Sequence, residues 1–393
     1  MNKIDELIKQ YCPNGVEYKE LGEIGVFSNT GVDKKVIPGQ KEVKLLNYMD
    51  VYNNRYIDDK IPKMLVTASD NKIESCTVEK GDIFITPTSE TRNDIGHASV
   101  ITETLENTCY SYHIMRFRLN EYDIITSFYI RYLFGSNFVQ EQINKMAQGM
   151  TRFGVSKGKF AKIKIPIPPI QVQEEIVKIL DKFVELEAEL EAELEARKIQ
   201  YEFYRGELLK NTSWDFVGLG SVTKIMRGKR LTKNQLSINE KYPVFHGGLQ
   251  PLGNYGNSNR PANTVMIINV GASAGKVGYS NVDFWSSDGC YCIEKSKHFI
   301  DKFIYYFLSS KESELISKVR YAGIPTLDAG VIERITIPVP PLKEQERIVN
   351  ILDKFDKLIN DISEGLPAEI QMRRQQYEYY RKKLLKFKEL ENE

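Results

Sequence analysis

The sequence predicts an α+β chain of two α/β blocks, each followed by a long helix, with the two helices pairing as an antiparallel coiled coil. Three observations carry this. First, residues 163–186 (IKIPIPPIQVQEEIVKILDKFVEL) match residues 335–358 (ITIPVPPLKEQERIVNILDKFDKL) without gaps at an offset of 172. That is a long-period duplication, not a solenoid of 20–50-residue units. Second, each copy opens on a proline-rich stretch that cannot be helix interior, then shows apolar residues at steps of three and four. Third, the stretch ahead of each copy mixes strand and helix patterns, while the two stretches differ in sequence. The expected division is a block over 1–169, a helix over 170–210, a block over 211–341 and a helix over 342–393.

In the first block, Lys80–Asp82 is a turn leading into a strand at Ile83–Thr86. Ile61–Val66, Val100–Ile101 and Tyr112–Phe117 are further strand candidates, and Ile124–Phe134 and Phe138–Met146 read as helices. In the second block, Thr264–Val270, Gly278–Ser280 and Gly289–Ile293 read as strands, and Phe299–Leu308 and Glu312–Val319 as helices. The block starts correspond weakly, Val16–Gly22 against Trp214–Gly220.

The lead-ins Ile165–Pro169 and Ile337–Pro341 are stiff and extended, because proline lacks an amide and clashes with a preceding turn. Beyond them the apolar stripe runs Ile176, Leu180, Phe183, Leu186, Leu190, Leu194 in the first helix. In the second it runs Ile348, Leu352, Phe355, Ile359, Ile362, Leu366, Ile370, Tyr377, Tyr380, Leu384. Both approach a coiled-coil seam, with consecutive steps of four that act as stutters. Gly365 and Pro367 predict a kink. Residues 171–210 carry a net charge of −5, with glutamate at every second position from Glu185 to Glu195, whereas residues 343–390 carry +2. An acidic helix lying against a basic one is one reading, and a solvated acidic face is the other. A second match, Tyr201–Lys210 (YEFYRGELLK) with Tyr377–Lys386 (YEYYRKKLLK), is offset by 176. The second segment thus holds four more residues than the first, against strict twofold symmetry.

The chain has 393 residues, 41% apolar and 27% charged, with a formal net charge of +1. This composition forms cores and excludes disorder. No run reaches the ~18 apolar residues of a membrane span. The acidic residues near the start are unlike a secretory leader, so a cytoplasmic protein is expected. Five scattered cysteines argue against a disulfide framework, and Cys290-Tyr291-Cys292 reads as a strand with two buried thiols on one face. The overall charge conceals a basic second block, in which residues 211–342 hold 15 basic and 10 acidic side chains.

No catalytic constellation stands out. Gly271–Val277 (GASAGKV) has three residues between its glycines where a phosphate loop needs four, and Val277 replaces the Ser/Thr that holds magnesium. The four histidines are dispersed, no serine sits in a nucleophile elbow, and the paired prolines lack the flanking residues of an amino-methyltransferase motif. What remains is polar loop chemistry suited to DNA. Thr86–Asn93 follows a strand and offers Ser89, Thr91, Arg92 and Asn93; Gly149–Lys159 offers Arg152, beside Phe153, and Lys157. The second block offers Arg227, Lys229 and Arg230, then Asn257, Asn259 and Arg260, then Arg320 and Tyr321. Lys and Arg bind phosphates, and amide, hydroxyl and guanidinium groups read base edges.

Two unlike blocks, each closed by an IPIPP…QEEIVKILDKF or IPVPPLKEQERIVNILDKF helix ending in YEFYRGELL or YEYYRKKLL, resemble the specificity subunit of type I restriction–modification systems. The resemblance implies that each block is a target-recognition domain for half of a bipartite double-stranded DNA site. It also implies that the helices act as a ruler across an unread gap. The subunit would be non-catalytic and would bind no cofactor. Two methyltransferase subunits would use S-adenosylmethionine, and a restriction subunit would use ATP and magnesium to translocate and cut. The implied partner surfaces are Gln173, Ile176, Leu180, Phe183, Tyr201 and Tyr204 on the first helix, and Gln345, Ile348, Leu352, Phe355, Tyr377 and Tyr380 on the second. Two other classes stay open: a self-contained DNA methyltransferase or endonuclease, which would act alone, and a coiled-coil adaptor, which would bind no duplex.

Overall fold

The computed structural model describes residues 2–210 and 213–390, so the expected boundary at residue 211 lies outside the described residues. The chain forms two compact units, one of Met1–Ala188 with Gln371–Glu393 and the other of Glu189–Ile370. Each unit therefore takes part of both helical segments, cutting across the division at 169 and 341. Seven helices matter most: α1 (Asn2–Tyr11), α2 (Ser127–Phe134), α3 (Asn137–Met146), α4 (Ile170–Leu209), α5 (Asp301–Ser310), α6 (Leu342–Asn360) and α7 (Leu366–Leu384).

In the first unit a five-stranded sheet runs in the order Gly25–Ser28, Met115–Leu119, Ile83–Ile85, Ala98–Ile101, Tyr56–Ile57. All its pairings are antiparallel except the last. In the second unit Ile225–Arg227, Cys290–Ile293, Thr264–Ile268 and Val277–Ser280 form an antiparallel sheet. The two central strands and their neighbours follow the same order in both units, although their sequences differ. Alternation explains the layers: Ile83 and Ile85 face one core with α2, and Phe84 faces a second with Tyr110. Likewise Val265 and Ile267 face the helices, while Met266 and Ile268 face a small core holding Cys290 and Cys292. All five cysteines are buried free thiols.

The proline-rich lead-ins are more than stiff spacers. Lys164–Ile167 pairs antiparallel with Glu17–Glu20, and Thr336–Pro338 pairs with Phe216–Gly218. These are two-stranded ribbons, where a missing proline amide costs no central ladder bond. Each ribbon joins the first strand of a block to its last, which explains the weak likeness of the block starts.

Several boundaries shift. The strand expected over Ile61–Val66 occupies Met64–Ala68 because Pro62 interrupts its start. The strand expected over Tyr112–Phe117 occupies Met115–Leu119, after a turn. The helix expected from Ile124 begins at Ser127, since Thr126 is its N-cap and accepts from the Tyr129 amide.

The expected kink at Gly365 is a complete break between α6 and α7. Asp361 Oδ1 accepts from the Ser363 amide, the Ser363 hydroxyl and the Glu364 amide, at 2.7, 2.5 and 3.2 Å. A Cβ on Gly365 would lie 2.6 Å from the carbonyl oxygens of both Asp361 and Lys357, so only glycine fits. Pro367 sits in the first turn of α7, where it is tolerated. Ile362, expected on the apolar stripe, is exposed in this turn. The other segment, α4, continues for 40 residues without interruption.

Candidate nucleic-acid interface

In the first unit a short antiparallel ribbon sets Phe153 opposite Ser89 and Gly154 opposite Thr88. It merges the Thr86–Asn93 and Gly149–Lys159 stretches into one surface. Arg152 donates from Nε and Nη2 to Thr88 Oγ1, at 3.2 and 3.0 Å. The Arg92 guanidinium lies over the Phe153 ring, 5.1 Å from its centroid. Thr91, Arg92, Asn93, Arg152 and Lys157 are all exposed there. Ser89 is not available: it is buried, and its hydroxyl donates to Asp94 Oδ2 at 2.8 Å. Asp94 also accepts from Tyr52 at 3.0 Å and lies 2.9 Å from His97 Nε2. Burial pushes the Asp94 carboxyl up, but bonds from Ser89, His97 and Tyr52 outweigh it and hold the group below its usual value. Ser89 thus builds the loop rather than reading from it.

In the second unit Arg227, Lys229, Arg230 and Asn257 are exposed. The Lys229 backbone is pinned, its amide donating to the Ser286 carbonyl at 2.9 Å and its own carbonyl accepting from Trp285 Nε1 at 2.7 Å. Arg227, Arg230 and Lys233 border a cavity of about 530 Å³ that also meets His246, Asn269 and Thr326. Two expected readers are committed elsewhere. The Asn259 side chain donates to the Ser286 carbonyl at 2.9 Å and accepts from the Ser286 amide at 2.7 Å, spending both ends of its amide. Arg260 donates to the carbonyls of Asn259 and Arg227, at 2.8 and 3.0 Å. Both residues hold loops together. Arg320 is exposed and paired with Asp328 at 3.0 Å, and Tyr321 is exposed beside it.

The expected partner-surface residues of the helices lie largely inside the fold. Gln173 is fully buried, accepts from the Thr126 amide at 2.9 Å and donates to the carbonyls of Ile124 and Pro168 at 2.8 and 2.7 Å. Its repeat partner Gln345 accepts from the Ile300 amide and donates to the carbonyls of His298 and Pro340, each at 2.8 Å. Eight residues on, Asp181 accepts from the hydroxyls of Tyr132 and Tyr56 at 2.5 and 2.6 Å. Asp353 accepts from Tyr306 at 2.5 Å and Lys302 at 2.7 Å. Burial first, then the bond to the carboxylate, raises the Tyr132 and Tyr306 hydroxyls far above their usual range. Each Gln–Asp pair is a latch tying a block to its helix. Ile176, Leu180, Ile348 and Leu352 are fully buried within their own units, and Tyr201 and Tyr377 are nearly so. A partner therefore does not reach Gln173, Gln345 or these six side chains.

Other aromatic residues on the helices are more open. Phe183 stacks on Tyr380 at 5.3 Å in the first unit, and Tyr204 packs on Phe355 at 5.7 Å in the second. Phe203 and Tyr379 hold the same place in the 176-residue repeat and are 63% and 62% exposed. Arg374 pairs with Glu187 at 2.6 Å, joining the acidic and basic segments there. Several other charges pair within their own helix: Arg197 with Glu193 and Lys198 with Glu195, both at 2.7 Å, and Arg381 with Glu378 at 2.6 Å. Lys233 lies outside the stretches that sequence singles out, whereas Thr88, Asp181, Asp353, Phe203 and Tyr379 lie inside them without standing out as individual residues, and the latch role of the aspartates is new. The signal was available for the latch, since Gln and Asp recur at identical repeat positions.

Among the described residues, no group of three His, Cys, Asp or Glu side chains could hold a metal ion, and no helix is long and apolar enough to cross a membrane. The model of the type I restriction modification DNA specificity domain matches residues 13–196 and 211–372. The chain is 34% identical over 267 residues to the specificity subunit of the Escherichia coli type I restriction enzyme EcoR124I/EcoR124II. That match covers 58% of this chain and 64% of the relative, so it spans under two thirds of the relative's length. Among solved structures, a chain from work on complex assembly and conformational transition of the type I restriction–modification system aligns with a TM-score of 0.62 and 17% identity, over 95% of this chain and 98% of that one. The S subunit of a Mycoplasma genitalium type I system aligns with a TM-score of 0.59 and 16% identity, over 94% and 96%. At these identities the likeness speaks for the fold.

Proposed function

The chain belongs to the family of type I restriction–modification specificity subunits, and from that premise we propose that it is the non-catalytic DNA-reading subunit of such a complex. Each block reads one half of a bipartite duplex target. The helices pair as an antiparallel coiled coil, set the unread gap and dock two methyltransferase subunits. S-adenosylmethionine, ATP and magnesium are used by the partner subunits, not by this chain.

The observation that carries this reading is the ribbon of the first unit. It brings Arg92 and Arg152 together from two distant stretches, with Thr91, Asn93 and Lys157 exposed in those same stretches. The second unit offers a counterpart in Arg227, Lys229 and Arg230. Phosphate contacts by such cations position a duplex, and neighbouring polar groups choose bases. For methyltransferase docking, the favoured residues are Phe203 and Tyr379, exposed aromatic side chains at matching repeat positions. Two like surfaces suit two copies of one partner, and aromatic anchors dominate protein interfaces. The test is reconstitution with the cognate methyltransferase subunits, followed by sequencing of methylated DNA. A split motif with a fixed gap supports the proposal. Methylation without sequence preference, or methylation by this chain alone, overturns it.

A further inference from the structure

Two hairpins, one in each unit, share a backbone framework that their sequences conceal. In the first unit, Gln148 and Gly154 exchange backbone hydrogen bonds, at 3.0 and 2.8 Å. In the second, Arg320 and Thr326 exchange the same pair, at 2.9 and 3.0 Å. The next residue in each case donates to a carbonyl within two residues of the end of a central sheet strand: Val155 to Pro87 at 3.0 Å, and Leu327 to Asn269 at 2.9 Å. Phe153 pairs with Ser89, and in the equivalent register the Gly271 amide donates to the Pro325 carbonyl at 2.9 Å. Each hairpin encloses five residues, GMTRF at 149–153 and YAGIP at 321–325. Each turns on a glycine with positive φ, Gly149 at 138° and Gly323 at 87°.

The tips expose apolar side chains. Met150 is 93% exposed, Tyr321 68% and Ile324 70%. One such residue is ordinary on a protein surface. Their recurrence at the tips of matched hairpins is not, and both hairpins stand among cations. Arg152 belongs to the first, and Arg92 covers its Phe153. Thr326, at the base of the second, borders the cavity shared by Arg227, Arg230 and Lys233. The sequences also separate two kinds of ligand. Surfaces meeting identical partners should match between the units, as Phe203 and Tyr379 do. Surfaces meeting unlike ligands on a common scaffold should keep the framework and vary the tip, as these hairpins do.

We propose that residues 149–153 and 321–325 are a matched pair of groove-entering probes, with Met150 in one and Tyr321 and Ile324 in the other making apolar contacts with the bases of the two unlike half-sites. This rests on the DNA-reading function proposed above. Apolar contact with base edges discriminates sequence and releases no counterions.

The test uses the full chain with its methyltransferase subunits, after the wild-type complex has been shown to methylate a split motif; failure at that stage would count against the function, not the probes. Met150→Ser should weaken binding of cognate duplex about tenfold or more. The slope of log affinity against log salt and the non-specific affinity should stay unchanged. Relaxed methylation should be confined to one half of the motif, with Ile324→Ser relaxing the other half and Met150→Leu restoring wild-type behaviour. A changed salt slope, or equal loss on cognate and random DNA, would assign the tips to backbone contact and overturn the proposal. Loss of complex assembly would assign them to a protein partner, and unaltered binding would leave them no role; either result also overturns it.

Discussion

Replacing Gln173 by methionine tests whether the repeated helix sequence is a latch inside the chain rather than a surface for partners. Methionine keeps a similar volume but can neither accept from the Thr126 amide nor donate to the carbonyls of Ile124 and Pro168. Three backbone groups lose their partners at a side chain with no solvent exposure. A buried polar group left unpaired costs ~1–3 kcal/mol, so the sum is about 3 kcal/mol at the low end. Local opening of the latch should become easier by about 100-fold, since ~1.4 kcal/mol is a factor of ten. Amide hydrogen exchange reads this directly: the Thr126 amide should lose about two orders of magnitude of protection. The Ile300 amide, held in the same way by Gln345, should not change. Gln345→Met should reverse the pattern. If Thr126 protection falls by less than about threefold, or Ile300 falls with it, the latch does not carry the load assigned to it.

Four further outcomes are expected. Phe203→Ser and Tyr379→Ser should leave the melting temperature nearly unchanged, because both side chains are exposed, yet should abolish co-purification of the methyltransferase subunit. Arg230→Ala should weaken DNA binding and lower the salt slope by about one, with motif changes at a single half-site in methylation sequencing. Inserting four residues near Leu190, in the uninterrupted helix, should lengthen the gap of the methylated motif and leave both half-sites intact; an unchanged gap rejects the ruler. Stability should decline as pH rises past about 10. The Tyr132 and Tyr306 hydroxyls are raised by burial and by their aspartate bonds above the ordinary 10.0, so the folded chain keeps protons that the unfolded chain releases. Denaturation midpoints from about pH 8 to about pH 11 check this, and a flat profile contradicts it.

The architecture was largely legible because the first repeated stretch is gapless and its prolines punctuate it. Prolines 166 and 338 fixed where helices could not be, and the three-and-four spacing beyond them fixed where they are. The site was harder to read. Ser89, Asn259 and Arg260 have the right chemistry for DNA, but hydrogen bonds to Asp94, Ser286, Asn259 and Arg227 decide that they face inward. No spacing rule reports such a commitment. The helix repeat misled for a related reason. Likeness between copies signals a shared contact, and sequence cannot say whether that contact lies within the chain or outside it. Ile362 fits the apolar period, yet Gly365 breaks the helix and turns it to solvent.

The latch has a consequence for inheritance. Its receiving half, Gln and Asp eight residues apart, travels with the helix. Its inserting half, a backbone amide and a tyrosine six residues later, travels with the block: Thr126 with Tyr132, Ile300 with Tyr306. The second donor to each aspartate is free to differ, tyrosine in one unit and lysine in the other. Blocks of unrelated sequence are therefore interchangeable parts, provided they keep that amide and that hydroxyl. A genetic exchange within the helix-coding segment would hand over a new block already compatible with its mount; under the proposed DNA-reading function, such an exchange would change specificity in one step and leave the mount untouched.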